Sequence, residues 1–192
     1  MQSAKVDRRF VVLRACYNAV LTIFWSVLGF LPICMFCYQF MERVWLYVFS
    51  FSGLFAYLLP VAQFRHLELS DNPTVYRSLG VHWIKRFVQH GTLINGLLRQ
   101  RDPRYRRIRS RQTAVHLKNT TYMQERFHWA MFIVFLLSAL YALLHNHPGW
   151  GLLIMLTNLT YNNMYPIWLQ QYIRIRLRRS CSLRNLRCTS PH

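Results

Sequence analysis

The chain has 192 residues, a length that suits one domain. Hydrophobic residues make up 53% and aromatic residues 16%, and 24 Lys and Arg stand against 6 acids for a net charge of +18. Five Cys, an odd number, exclude the disulfide framework of a small secreted domain. The basic stretches flank apolar blocks, so the charge reads first as membrane topology and affinity for anionic headgroups, ahead of nucleic acid.

The N-terminal "MQSAKVDRRF" is followed by an apolar run too long for a signal-peptide core, with no small-x-small cleavage site, and reads as an anchor. The apolar run spans residues 17–38. Its Cys34 and Cys37 form a CxxC without a second Cys/His pair at zinc spacing, so no metal is expected. A second apolar block covers 44–64. Each is long enough for a bilayer crossing, which takes about 20 residues.

A long basic segment, 65–128, comes next. In "VYRSLGVHWIKRFVQH", Leu79, Trp83, Ile84, Phe87 and Val88 share one helical face, and Arg77, Lys85, Arg86 and Gln89 fall toward the other. This pattern predicts an amphipathic helix lying in the headgroup layer. Gly91 and Gly96 are expected to interrupt any helix beyond it. The Arg-rich "RQRDPRYRRIRSR" contains a turn at Asp102-Pro103. Stacking aromatics are few in it, and it has no nucleic-acid-binding motif. "RHLELSD" places His66 and Asp71 at an H-x-x-x-x-D spacing used by glycerolipid acyltransferases, but the soluble α/β pattern of those enzymes is missing. The "NTT" sequon at 119–121 falls on the side assigned to the cytoplasm and is read as incidental.

The third block, 129–144, is short. It spans only if Phe127, His128 and the adjoining "HNH" sit in the interfaces. The fourth, 150–172, runs into a basic tail, 173–192, expected to be mobile. Lys and Arg alternate across these connections: Lys5, Arg8, Arg9 and Arg14 precede the first block, Arg43 alone lies in the first connection, and thirteen lie between Arg65 and Phe127. "HNHPG" has none, and six Arg run from Arg174 to Arg187. The expectation is an all-α, four-span membrane protein, one membrane domain over 1–192, with both termini cytoplasmic.

Two patterns carry chemistry. In "ERFHW", Glu125 and His128 share a helical face at the lip of the third span. A carboxylate there can orient an imidazole as general base toward a hydroxyl nucleophile. An interfacial cap, with His128 and Trp129 anchoring a span, has the same spacing. In the fourth block, Asn158, Asn162, Asn163 and Gln170 gather near one sector with Pro166. Amides facing lipid are costly, so the stripe must face other helices or a polar cavity, as interhelical glue or as substrate-site lining.

These stretches resemble the glycosyl-diaponeurosporenoate acyltransferases, small membrane proteins that place a fatty acyl chain on the sugar of a bacterial carotenoid glycoside. In "YRSLGVHWIK", Tyr76, Leu79, Gly80, Val81 and Lys85 match that family's pattern, with Ile84 where the family has Trp. In "ERFHW", Glu125, His128 and Trp129 match. In "NMYPIWLQQYIRIR", Asn163, Pro166, Gln170, Tyr172, Arg174 and Arg176 match, while Gln171 and Ile173 replace the usual Arg and Asn. The similarity runs over about 68–178.

The resemblance implies acyl transfer from an acyl-CoA or acyl-carrier-protein thioester to a glycolipid hydroxyl, without metal or other cofactor. It tips the Glu125–His128 pair toward catalysis, His128 as base and Glu125 orienting it. Asn163 and Gln170 are the expected amide ligands of sugar hydroxyls or the thioester oxygen, Trp129 and Tyr172 further substrate contacts, and Lys85, Arg174 and Arg176 phosphate holders for the donor. Membrane lipids are the other expected partners, and nucleic acid is not one. The competing expectation is a non-catalytic basic membrane protein that binds anionic lipid or a partner protein.

Overall fold

The structure is a computed structural model that describes residues 8–83, 92–101 and 111–188. Among the described residues it is helical throughout, with no strand. The helices are α1 (Arg8–Phe40), α2 (Arg43–Tyr57), α3 (Val61–His66), α4 (Pro73–Ser78), α5 (Thr92–Arg101), α6 (Arg111–Leu144), α7 (Pro148–Thr157) and α8 (Met164–Cys188). A π-helical turn, Asn158–Asn162, joins the last two.

Two helical stretches are long and apolar enough to cross a membrane, Ala15–Phe40 in α1 and Gln112–Leu144 in α6. α6 has 34 residues, so at about 1.5 Å per residue it extends about 50 Å. It merges the short third block with part of the segment expected to be loop, which removes the length problem of that block. Counting about 20 residues back from Leu144, the depth of a hydrocarbon core, brings the helix to Glu125.

The second and fourth blocks, expected as spans, are both interrupted. α2 stops at Tyr57, and Pro60 lies in the break before α3. Proline has no N–H to give the preceding turn, so a helix ends there readily. In the fourth block the helix widens into the π turn. Asn163 N–H reaches back to the Asn158 carbonyl at 3.4 Å, and α8 then restarts with Pro166 in its first turn. A proline is tolerated there because first-turn N–H groups lack helical partners in any case.

α6 is the central helix, with α2, α7 and α8 packed on it. Small residues allow the close crossings. A Cβ on Gly53 would lie 2.9 Å from the Ala130 carbonyl oxygen and 2.7 Å from Val134 Cγ2. One on Gly151 would meet Leu143 Cγ at 2.7 Å. Such backbone approach is how helices gain packing energy where lipid is as apolar as the interface. The core there is Ile33, Phe36, Phe49, Phe135, Ala139, Ala142 and Ile154. Val20, Ile23, Phe24, Val27 and Leu31 of α1 point outward.

A second core, Tyr76, Val81, Leu169, Tyr172 and Ile175, joins α4 to α8. Three expectations are corrected in this region. The amphipathic helix is broken at Gly80, whose φ of +80° suits glycine and ends α4. Helix resumes at Val81, while Ile84, Lys85, Arg86, Phe87, Val88 and Gln89 lie outside the described residues, as does the Asp102-Pro103 turn. Gly96 sits inside α5 without interrupting it. The tail is helix as far as Cys188.

Candidate active site

Glu125, on α6, is fully buried. Its Oε1 accepts from Gln171 Nε2 at 2.8 Å, and its Oε2 accepts from Arg174 Nη1. Arg174 is itself fully buried and also donates from Nε to Glu68 Oε1 at 3.1 Å. Its guanidinium lies 4.1 Å from the centre of the Tyr122 ring. Arg178 pairs with the other oxygen of Glu68 and approaches Asp71 at 3.6 Å, and Arg179 donates to the Asp71 carbonyl at 3.2 Å. Two arginines thus neutralise two buried glutamates. Such charges are tolerated away from water only when paired and hydrogen-bonded. The planar fork of arginine, with an aromatic face beneath it, suits that task better than a lysine ammonium.

Gln171 ties the rest together. Its amide nitrogen donates to Glu125 and, at 3.1 Å, to the Leu67 carbonyl. Its oxygen accepts from Leu69 N–H at 3.3 Å and from the Tyr76 hydroxyl at 3.1 Å. The Tyr76 hydroxyl in turn accepts from Ser70 N–H at 3.2 Å. Burial pushes the Tyr76 phenol above its ordinary range, so it stays a donor. Asn72 caps α4 by accepting from Thr74 N–H, with Pro73 beginning the helix. The segment between α3 and α4 is therefore held to α8 largely by side chains of α8.

Gln171, which stands where the resemblance implies an arginine, makes four hydrogen bonds among the described residues. Gln171→Leu keeps the volume and removes every bond. Unmet buried polar groups cost about 1–3 kcal/mol each, so the expected loss is ~3 kcal/mol, read as a clear drop in thermal unfolding temperature in detergent. An unchanged temperature would refute the pinning role.

The expected site residues divide accordingly. Glu125 and Arg174 meet in one cluster, which Tyr76, matched in the first resembling stretch but not expected as a site residue, joins through Gln171. Arg174, expected to hold donor phosphate, directs its donors to two glutamates. Glu125 is expected to orient His128, but its described bonds go to Gln171 and Arg174. His128 is half-buried on the same helix, edge-on to Phe127 at 5.5 Å. Trp129 stands edge-on to Phe132, and among the described residues its buried Nε1 has no acceptor.

Asn163 donates to Asn158 Oδ1 at 2.8 Å, and Asn158 donates to the Phe132 carbonyl at 3.1 Å, a bridge from α6 to the π turn and α8. This is the arrangement expected of interhelical glue. Gln170 is buried, and its Oε1 has no donor among the described residues. Tyr172 is buried beside Tyr76, and its hydroxyl accepts from Arg77 Nε at 3.4 Å. Arg176 is exposed and lies over the Tyr172 ring at 5.7 Å. Lys85 lies outside the described residues. Asp71 is exposed and occupied with Arg178 and Arg179, so its contacts run to α8 and give the His66–Asp71 spacing no support as a pair. Sequence reasoning missed Glu68, Tyr122 and the part played by Gln171, because none belongs to a local pattern.

No curated protein and no solved structure matches the chain. A family model for glycosyl-4,4'-diaponeurosporenoate acyltransferase matches residues 60–183, more than half of the chain. That range holds the buried cluster, His128 and the π turn, and the chain belongs to the glycosyl-4,4'-diaponeurosporenoate acyltransferase family, an acyltransferase family of carotenoid glycoside biosynthesis.

Proposed function

We propose that the chain moves a fatty acyl group from a thioester, acyl-CoA or acyl-carrier protein, to a hydroxyl of a glycolipid such as a glycosylated carotenoid. His128 takes the proton of the acceptor hydroxyl as its oxygen attacks the thioester carbonyl. The C–O bond forms, the C–S bond breaks, and the imidazolium returns the proton to the departing thiolate. Glu125 acts through position: held by Gln171 and Arg174, it fixes α6 against α8 and so sets where His128 stands.

Gln170 Oε1 and Trp129 Nε1 are buried acceptor and donor atoms without partners among the described residues. A sugar hydroxyl supplies both complements, and unmet buried polar atoms call for such an explanation. Asn163, bonded to Asn158, supports the wall of the site.

The observation that carries this reading is the meeting of Tyr76, Glu125 and Arg174 through Gln171, from stretches far apart in sequence. Four membrane crossings with cytoplasmic termini belong to the same proposal. Crossings one and three are the long apolar helices. Crossings two and four are broken ones, tolerable at depth where the freed backbone faces protein. The setting is the bacterial inner membrane, where a lipid hydroxyl meets a soluble donor. The test is transfer of labelled palmitate from palmitoyl-CoA to a carotenoid glucoside by membranes carrying the chain, against membranes without it. A labelled ester in the first alone is expected, and its absence would overturn the reading.

A further inference from the structure

α8 presents Arg174, Arg176, Arg178 and Arg179 within two turns, and the structure sorts them. Glu68, Glu125 and Asp71 take Arg174 and Arg178, and the Asp71 carbonyl takes Arg179. Arg176 leaves the other way and lies over Tyr172. Arg77 arrives at the same tyrosine from α4, its Nε 3.4 Å from the hydroxyl. No carboxylate pairs with Arg77 among the described residues, and both arginines are exposed while the tyrosine between them is buried. This placement is built. Gln171 holds Tyr76, Tyr76 packs on Tyr172 with ring centres 6.3 Å apart, and Arg77 is the next residue.

We infer that Arg77 and Arg176, one at the hydroxyl and one over the ring of the buried Tyr172, form a phosphate-binding site at the junction of α4 and α8. Two guanidinium forks offer planar, charge-assisted donors, the chemistry that recognises phosphate oxygens. The tyrosine places both, Arg176 over its ring face and Arg77 at its hydroxyl, and so limits what they lose in ordering. The phosphate has two sources: the nucleotide part of an acyl-CoA donor, an assignment that rests on the acyl-transfer reading, or an anionic lipid headgroup.

The full chain in detergent separates them. In one arm, CoA without an acyl group and pantetheine, which lacks phosphate, are titrated by calorimetry. In the other, co-purifying phosphatidylglycerol is measured against phosphatidylcholine. Arg77→Ala and Arg176→Ala are each expected to weaken CoA binding about tenfold while pantetheine binding is unchanged, with partial recovery in the Lys variants. Arg99→Ala, which removes an exposed charge from α5, changes neither arm. Loss of phosphatidylglycerol with CoA binding intact assigns the phosphate to lipid. No change in either arm, or an equal change from Arg99→Ala, overturns the site. Binding needs no turnover, so a chain that holds CoA yet transfers nothing refutes the catalytic reading and keeps this one.

Discussion

Arg174→Leu is expected to destabilise the fold by about 4 kcal/mol, within the range for breaking a buried pair by removing one partner. The reason is asymmetry. Leucine fills much of the space over Tyr122, but Glu125 keeps its charge with only Gln171 to answer it, and Glu68 falls back on the half-buried Arg178. Removing the stranded charge at the same time should recover part of the loss. The double variant Glu125→Gln with Arg174→Leu is therefore expected to unfold at a higher temperature than Arg174→Leu alone. Tryptophan fluorescence during heating in detergent measures both. If the double variant is the less stable of the two, the pair is not the source of the effect.

His128→Ala is expected to reduce acyl transfer by about 10²–10⁴, the usual contribution of a positioned general base, while thermal unfolding stays close to wild type. The separation follows from the geometry. The imidazole is half-buried at the edge of the packed helices, whereas Glu125 three residues earlier is enclosed. Rates across a pH series carry the decisive information: the acid limb seen with wild type should be missing from the variant. A variant that retains wild-type rates removes His128 as the base.

How much of the fold and site is legible in the sequence depends on the range of each interaction. Apolar length and charge alternation point to α1 and to the apolar half of α6, because hydropathy is a property of contiguous residues. The same property is blind to helix breaks. The second and fourth blocks are as apolar as spans should be, yet Pro60 and the turn at Asn158–Asn162 divide them. At Gly80 the apolar periodicity continues along the sequence while the backbone turns away. Glu125 and Arg174 stand out through a resemblance, but their contact joins residues 49 apart and has no local signature. Gln171 is the hardest to read. A glutamine has no fixed preference for partners, and only the folded chain brings two donors to its carbonyl oxygen and two acceptors to its amide nitrogen.

The polar grip of the final helix also implies a sequence of events. Leu67, Glu68, Leu69, Asp71, Tyr76, Tyr122 and Glu125 all leave the ribosome before Gln171, Arg174, Arg178 and Arg179. Until α8 arrives, the two glutamates lack the cations that let them be enclosed. The last helix is therefore a keystone: earlier segments can form their helices, but the polar cluster locks only after α8 has been made and docked.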